Sequence, residues 1–446
     1  MRAAPVAIVL VSLFLVSSFG FAVAHADTET ASIPVGDRPL AMAYDGSTNY
    51  VYVAELFSHA VAVVSSSTLV TNITSFDKPT ALLYDPSNGY VYVADYDSGS
   101  VAVLSGTAVV ANITVGLEPQ TLAYDPSNSD VYVGYLKSLL SSGDLVAVIS
   151  GTNVTATVSV GVAPDAIVYN PSNNDMYVAD EGSGKVSVIS GTTDVANVSA
   201  GARPEALLYD PSDSDVYAAN TGGTTVTVIS GTHGAANVTM GGAPTGLALD
   251  TQSDDVYASV DTGAEHGLVQ TISGTSIVGQ VAVGQEPSSP VYDPANGNVY
   301  VANENALTTS GSKGFLSEVS GTSSVRNITV DYGPNTLLYN PSNTDIYATN
   351  DVLGTVMVIA TGASTASQSQ TSAQASASSS SSSSTTGASS TTTSTTIPYS
   401  YLAVVAVYAV VVLLFVALRG IGRSLPNWQG RYQRVSPRYL LSGISR

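Results

Sequence analysis

Histidines are the first side chains to consider for catalysis or metal binding, since the chain has no cysteine. Beyond residue 26 they are His59, His233 and His266, each in different sequence surroundings. Neither a nucleophile beside a base nor a glycine-rich phosphate loop is apparent. We therefore expect all three histidines at the surface, and the missing thiols exclude disulfides and thiolate metal sites.

A second set of candidate side chains occupies one position of a recurring pattern, and its eight positions are spaced 40 to 47 residues apart. The recurring residues are Glu55, Asp95, Asp180, Asn220, Asn303 and Asn350, with Tyr135 and Val260 at the two other positions. Arg38, Lys78 and Arg203 share another recurring position, directly before a proline, which Glu118 and Glu286 also occupy. If these polar groups gather on one face of the fold, they predict a rim that holds a sugar, a peptide or an anion. The alternative is that they are polar only because strand ends are ordinarily solvated.

One segment, Asp95-Tyr96-Asp97-Ser98-Gly99, has the composition of a calcium-binding loop. It lacks the full ligand spacing and the terminal bidentate glutamate of an EF-hand. We therefore predict no metal site and no cofactor.

Six N-x-S/T sequons occur, and five of them lie seven residues before a recurring proline. Such sequons accept glycans when a secreted chain exposes them, and glycans there would cover sheet edges. Copying of one ancestral repeat explains the common register without selection. The sequon asparagines are Asn72, Asn112, Asn197, Asn237 and Asn327, in register, and Asn153, out of register.

The elements that position these residues follow from an internal repeat, which occurs eight times between residues 39 and 360. Each copy has a proline, then a tyrosine five residues later (leucine in one copy), and a second tyrosine eight residues after that. An apolar run such as 101–105 follows, and the next proline always comes 14 residues after its end. Only the segment before that run varies in length, and it is longer in the third, sixth and seventh copies, at 137–144, 261–266 and 304–313.

Four short apolar runs make up each copy, as at 80–84, 90–95, 100–105 and 109–115. They are rich in Val, Ile, Thr and Tyr, are too short for helices, and are separated by Asx, Pro and Gly residues typical of β-turns. The middle runs are apolar on both faces, as expected of a sheet between two neighbours. The pattern predicts an all-β fold, a β-propeller of four-stranded blades.

Ring closure decides the number of blades. The eighth copy reaches its third strand near Ile359 and lacks a fourth, while residues 32–36 match residues 112–116 position for position. We therefore expect the N-terminal segment to supply the missing outer strand, where Pro34 is tolerated because an outermost strand can spare a ladder donor. This predicts eight blades within residues 27–362, with a seven-bladed ring and one stray copy as the alternative.

Three segments carry a resemblance to a known repeat. Val91-Tyr92-Val93-Ala94-Asp95, Tyr217-Ala218-Ala219-Asn220 and Tyr347-Ala348-Thr349-Asn350 resemble the YVTN-family propeller repeat of archaeal surface-layer and other cell-surface proteins. The resemblance covers roughly residues 30–361 and implies an extracellular scaffold or adhesive role. It supplies no catalytic residue that can be placed here, and the eight copies depart from the seven blades common in this repeat class.

The two ends of the chain predict its location. Residues 1–26 have the layout of a secretory signal peptide, with an uncleaved N-terminal anchor as the alternative. Residues 363–398 are rich in Ser and Thr and are expected to form a disordered stalk. Residues 399–418 carry no charge and are long enough to cross a bilayer as one helix, and the six arginines within 419–446 predict a cytoplasmic tail. We expect a single-pass protein of the cell membrane with its N-terminal domain outside.

Charge narrows the possible partners. The chain has 34 Asp and Glu against 14 Lys and Arg, and every acid precedes residue 362. Nucleic acid is therefore not expected as a partner, because phosphate binding needs clustered cations.

Two functional hypotheses follow. The favoured one is a binding, adhesion or cell-envelope scaffold module, without catalysis, that contacts an extracellular protein or glycan through one face of the ring. That face carries the connections from second to third strand and from blade to blade, and all length variation falls there, although drift in exposed loops is an alternative reason. The second hypothesis is an extracellular lactonase- or lyase-like enzyme with a metal at the central channel. The sequence does not specify an oligomeric state.

Overall fold

The computed structural model describes residues 27–137, 143–304 and 313–362. These residues form eight four-stranded antiparallel sheets, the blades of a β-propeller. Within a blade the strands are named a to d from the centre outwards, and the blades are numbered in chain order. The prediction of an all-β ring of eight blades is confirmed.

The innermost strands form the wall of the central channel. These a strands are β2 (Pro39–Asp45), β6 (Pro79–Asp85), β10 (Leu117–Asp125), β14 (Pro164–Asn170), β18 (Pro204–Tyr209), β22 (Ala243–Asp250), β26 (Pro287–Asp293) and β30 (Pro334–Asn340). The b strands are β3 (Tyr50–Glu55), β7 (Tyr90–Asp95), β11 (Asp130–Leu136), β15 (Asp175–Asp180), β19 (Asp215–Asn220), β23 (Asp255–Asp261), β27 (Asn298–Asn303) and β31 (Asp345–Asn350).

The outer half of each blade consists of the c and d strands. The c strands are β4 (Ala60–Ser65), β8 (Ser100–Ser105), β12 (Leu145–Ser150), β16 (Lys185–Ser190), β20 (Thr225–Ser230), β24 (Gly267–Ser273), β28 (Gly314–Ser320) and β32 (Thr355–Ala360). The d strands are β5 (Thr68–Ile73), β9 (Ala108–Thr114), β13 (Asn153–Ser159), β17 (Thr193–Ser199), β21 (His233–Thr239), β25 (Ser276–Val283), β29 (Ser323–Val330) and β1 (Thr28–Pro34).

The core lies between the blades, which explains why the middle strands are apolar on both faces. In β3, all five residues from Val51 to Glu55 are buried. One apolar cluster joins Val51 and Val53 of blade 1 to Tyr347 and Val356 of blade 8, and comparable clusters join the other neighbouring blades. Each sheet therefore contributes one face to each of two cores, as the two-sided apolar pattern predicts.

The second tyrosine of the repeat fastens one blade to the next. Its ring is buried in strand b. In five blades its hydroxyl donates to the carbonyl oxygen of a glycine in the c–d turn of the following blade, as from Tyr132 to Gly191 at 2.9 Å and from Tyr177 to Gly231 at 2.8 Å. Because a buried hydroxyl needs a partner, a tyrosine at this place sets the contact between blades as well as filling the core.

The ring closes as the sequence predicts. β1 pairs antiparallel with β32 and forms the outer strand of blade 8, with Pro34 opposite Thr355 at the end of the ladder. Asp27 occupies the place of the missing c–d turn: its Oδ2 accepts from the Tyr300 hydroxyl at 2.7 Å, and its Oδ1 accepts from the Gly362 amide at 2.7 Å. The first and last described residues therefore meet.

A small ionic cluster surrounds this closure. Arg326 pairs with Asp27 and, through Nε, with the Glu318 carboxylate at 2.6 Å, while Asn298 donates to Glu318 at 2.6 Å. Burial would raise the pKa of Asp27, but the bonds from Arg326, Gly362 and Tyr300 lower it overall. The N-terminal strand is thus held by a partly buried ion pair in addition to its ladder.

The predictions for residues 1–26, 363–398, 399–418 and 419–446 concern parts of the chain outside the described residues. None of the described residues belongs to a helix able to cross a bilayer.

Candidate functional site

The b–c and d–a connections lie side by side on one face of the ring. In five of the blades, the amide that follows strand b donates to the carbonyl of the residue before the repeat proline, at 2.8 to 3.2 Å: Leu56 to Arg38, Tyr96 to Lys78, Glu181 to Ala163, Thr221 to Arg203 and Glu304 to Glu286. The sequence prediction that both connections share a face is thereby confirmed. We call this surface the loop face, and the surface with the a–b and c–d turns the turn face.

The six polar strand-end residues of the predicted rim lie beneath this face rather than on it. Each of them is buried, with an exposed fraction between 0% and 4%. Most bind the d–a connection of their own blade, as when Asp95 accepts from the Asp77 amide at 2.5 Å and Asn220 accepts from the Gly201 amide at 3.0 Å. The residues concerned are Glu55, Asp95, Asp180, Asn220, Asn303 and Asn350.

A glycine three residues before the proline permits this close approach. A Cβ on Gly161 would lie 2.6 Å from the Cβ of Asp180, and a Cβ on Gly201 would lie 2.7 Å from the Asn220 amide. Only glycine therefore allows the connection to fold over the strand-end side chain in these blades. The pairing of a glycine with a polar strand end is a sequence signal for the burial, and the sequence analysis did not use it.

Burial perturbs the acids among these residues. Loss of solvation raises the pKa of Asp180 to about 7, against the partial compensation of a 2.7 Å bond from the Ser187 hydroxyl. It also raises the pKa of Glu55 and of Asp95. Because their solvent exposure is close to zero, these carboxyl groups are not part of the loop face itself; they lie beneath its connections.

The three cations of the rim lie on the loop face, Arg203 exposed and Arg38 and Lys78 half-buried, each against another side chain. Lys78 pairs with Asp97, and Arg203 binds Glu181 at 2.9 Å and Glu205 at 2.5 Å. All three cations take up the left-handed conformation directly before the proline, with φ between 53° and 64°. This backbone conformation could not be predicted from the residue types, since residues other than glycine rarely adopt it.

The third cation contacts an aromatic ring. The guanidinium carbon of Arg38 lies 5.2 Å from the centre of the Phe57 ring, within the range of a cation–π contact. Phe57 is 46% exposed, so the pair lies at the surface.

A ring of polar side chains follows the proline at the mouth of the channel. Thr80 donates to the Pro119 carbonyl at 3.2 Å, Gln120 donates to the Pro164 carbonyl at 3.0 Å, and Thr245 donates to the Pro287 carbonyl at 2.5 Å. These bonds run from each inner strand to the next, so they stabilise the ring and make its mouth polar. Sequence reasoning missed this position because its residue types differ from copy to copy.

The three long b–c connections also lie on the loop face. Asp144, at the end of the first, is buried and accepts from the amides of Lys137 at 3.0 Å and Ala163 at 2.8 Å, which fixes both ends of that loop. The second borders a cavity of about 360 Å³ whose lining includes Asp261 and Glu286. The third joins Glu304 to Lys313, which pairs with Asp331.

The histidines and the calcium-like segment do not converge. His59 lies in the b–c turn of blade 1, 3.3 Å from Asp77, His233 begins a d strand, and His266 lies in the long b–c loop of blade 6. No group of three metal-ligating side chains comes together in the described part of the chain. In the calcium-like segment, Asp95 and Asp97 already bind the Asp77 amide and Lys78.

The sequon asparagines are all exposed, on or at the start of the outer strands. In three blades the carboxamide oxygen accepts from a hydroxyl of strand c: Asn197 from Ser187 at 3.2 Å, Asn237 from Thr227 at 2.7 Å, and Asn327 from Ser317 at 3.1 Å. The carboxamide nitrogen, where a glycan attaches, takes no part in that bond, and in Asn197 it donates to the Asp194 carboxylate at 2.7 Å. The remaining sequon asparagines are Asn72, Asn112 and Asn153.

Comparisons with known proteins agree with this architecture. No family model and no curated protein matches the chain. Among solved structures, the C-terminal WD40 domain of Sif2 matches 75% of this chain and 98% of its own, with a TM-score of 0.59 and 10% identity. The Dos1 propeller matches 76% of this chain and 96% of its own (TM-score 0.60, 9% identity), and Sqt1 of Saccharomyces cerevisiae matches 75% and 98% (0.58, 10%). At this identity the likeness establishes the fold, a propeller with WD40-type structural neighbours.

Proposed function

We propose that the chain is a non-catalytic binding module that contacts an extracellular protein or glycan with its loop face. The observation that carries the proposal is positional. All three lengthened connections of the repeat begin and end on the loop face, while the a–b turns, and the c–d turns of the seven copies that have one, keep their lengths. A rigid ring with loops elaborated on one side is a common arrangement for recognition.

The position at which the described chain ends also favours the loop face as the binding surface. Asp27 and Gly362 meet at the position of a c–d turn, on the turn face. The described residues thus end on the turn face, and the loop face stays accessible to a partner.

The cell-surface role rests on the sequence. We propose a secreted, single-pass membrane protein of the YVTN type, on the strength of the end segments and the repeat resemblance. Glycans at the exposed sequons would cover the free edges of the outer strands, which otherwise pair readily with other chains. Mass spectrometry of the protein from its native membrane would detect each modified asparagine.

Loop replacement tests the binding role. The connections 137–144, 262–266 and 304–313 would each be replaced by residues 96–99, the four-residue b–c turn of blade 2. The full-length chain and the triple replacement would be compared on glycan and protein arrays, with their melting temperatures as a control for folding. We expect bound ligands to be lost while the protein stays folded, at a melting temperature lowered only by the loss of the Asp144 hydrogen bonds. Equal binding by both proteins would exclude these loops as the recognition surface.

A matched control uses the other face. Replacing the a–b turn Pro86-Ser87-Asn88-Gly89 with the same-length turn Thr251-Gln252-Ser253-Asp254 changes all four residues of one connection on the turn face. This variant should bind like the unaltered protein. If it loses binding instead, the turn face carries the function.

A further inference from the structure

Exposed apolar side chains are unevenly distributed over the described residues. Most of the large ones lie on the outer d strands, where blades splay apart. The turn face has none, and the loop face has Phe57, Leu117, Val352 and Leu353. Three of these four belong to b–c turns of blades 8 and 1, which are neighbours across the ring closure.

The turn itself does not require these apolar residues. Blades 1, 2, 4, 5 and 8 share a four-residue b–c connection. Where blade 1 has Phe57 and blade 8 has Val352, the other three have Asp97, Gly182 and Gly222. Polar residues and glycine thus form the same turn, and exposing Phe57 at 46% and Val352 at 59% gains nothing for the fold.

The two turns form one continuous surface. The segment Val35-Gly36-Asp37 lies between the two turns and contacts each of them. The Val35 amide donates to the Gly354 carbonyl at 2.9 Å, and the Phe57 amide donates to the Asp37 carbonyl at 3.3 Å. Arg38 stacks on the Phe57 ring and extends its flat surface. The b–c turns of blades 8 and 1 therefore border a single strip of backbone, with Val352 on the other side of its turn, beside Gly333.

Carboxylates surround this surface. Asp37 and Asp77 are exposed, and Asp351 is half-buried beside Val352. Burial, followed by repulsion from Asp351, raises the pKa of Glu304. Carboxylates of blades 7 and 8 therefore lie close together on the loop face. The nearby cations are already engaged, Arg38 with Phe57 and Lys78 with Asp97.

We propose that Phe57, Val352 and Leu353 form a docking patch for a protein segment that presents an apolar side chain next to Lys or Arg. The apolar residues would bury the anchor, and the surrounding carboxylates would pair with the flanking cations. An anionic lipid surface or a second copy of this acidic chain would be repelled. The proposal deepens the binding role of the loop face and names its partner by chemistry.

A peptide selection with a matched counter-selection tests the patch. Random displayed peptides would be selected on the purified full-length chain, and the enriched ones measured against a patch variant, Phe57→Asp/Val352→Asp/Leu353→Ser, which copies the turn of blade 2. The control variant, Val110→Ser/Val195→Ser, removes side chains exposed by 50% and 48% on the outer strands. A second patch variant, Phe57→Ser/Val352→Ser/Leu353→Ser, adds no charge.

We expect enriched peptides with an aromatic or aliphatic residue beside Lys or Arg. Both patch variants should weaken them at least tenfold, and the control variant should not. Peptides without cations, or binding that survives both patch variants, would overturn the patch. Peptides that still bind both patch variants would then be tested on the chain with replaced loops at 137–144, 262–266 and 304–313. If that replacement abolishes their binding, the binding role of the loop face stands without the patch. If they still bind, both proposals fail. Self-association of the chain that the patch variants abolish would instead assign the patch to a second copy and refute the proposed partner.

Discussion

Replacing Asp180 by asparagine should make the protein more stable at neutral and alkaline pH and leave it unchanged in acid. The Asp180 side chain is fully buried, and its Oδ2 accepts a 2.7 Å bond from Ser187 while Oδ1 has no well-formed hydrogen bond. Burial raises the pKa of this carboxyl from 3.8 to about 7. Blade 5 already contains the product of the change, since Asn220 occupies the same position and donates to Thr227 at 3.0 Å.

The magnitude follows from linkage. A carboxyl whose folded pKa is raised contributes stability that is complete below its unfolded pKa and is lost as the pH rises through the folded value. Between 3.8 and about 7 the loss accumulates at roughly 1.4 kcal/mol per pH unit, and reaches about 4 kcal/mol at pH 8. Asparagine carries no charge at any pH, so Asp180→Asn should recover on the order of 2–4 kcal/mol at pH 8 and roughly nothing at pH 4.

Denaturant unfolding followed by circular dichroism, at pH 4, 6 and 8, measures the difference between the two proteins. The reverse change, Asn220→Asp, is the matched control and should destabilise the protein at pH 8 but not at pH 4. A gain from Asp180→Asn that is equal at all three pH values would mean that packing, not charge, limits this position. A loss at pH 8 would refute the assignment of a buried, unfavourable carboxylate.

Four further changes test the ring itself. Arg326→Met would leave the Asp27 carboxylate buried without its cation and should cost roughly 3 kcal/mol of stability. We expect hydrogen exchange to become faster in β1 alone. Faster exchange throughout the ring would contradict a local role of this ion pair in holding β1. Tyr132→Phe removes the 2.9 Å bond to the next blade and should cost about 1 kcal/mol in denaturant unfolding, whereas no change would mean that the bond is not made. Gly161→Ala places a Cβ 2.3 Å from the Ser183 hydroxyl and should lower stability by about 1–3 kcal/mol in the same assay. Gly151→Ala, which has open space but a φ of 60°, should cost only about 1 kcal/mol.

The architecture was readable from the sequence because its determinants are local and repeated. Alternating turn residues and two-sided apolar strands recur eight times, and each copy repeats the same prediction. Even the closure of the ring was a local signal, since residues 32–36 match an outer strand and the eighth copy lacks one. Sequence spacing could not show that the hydroxyl of the recurring tyrosine reaches a neighbouring blade, because that bond joins residues more than 50 positions apart, such as Tyr52 and Gly106.

The candidate site was harder because exposure at a strand end depends on what folds over it. The b strands end in Asp, Asn or Glu, and polarity alone suggests a solvated rim. The glycine three residues before the proline decides otherwise: Gly36 and Gly201 bring the d–a connection down onto Glu55 and Asn220. Blade 2 reaches the same result without that glycine, because Asp95 accepts from the Asp77 amide while Phe76 fills the space.

The surface that remains available to a partner therefore consists of different residues from those at the strand ends. It comprises the long loops, the cations before the prolines and the apolar turns of blades 8 and 1. In a repeat protein, the shared residues of the copies maintain the scaffold, so a specific partner has to read the positions where copies differ. Phe57 and Val352 are such departures, at a position where Asp97 and Gly182 serve the fold equally well. Departures from the repeat, rather than its landmarks, are where recognition should be sought in this ring.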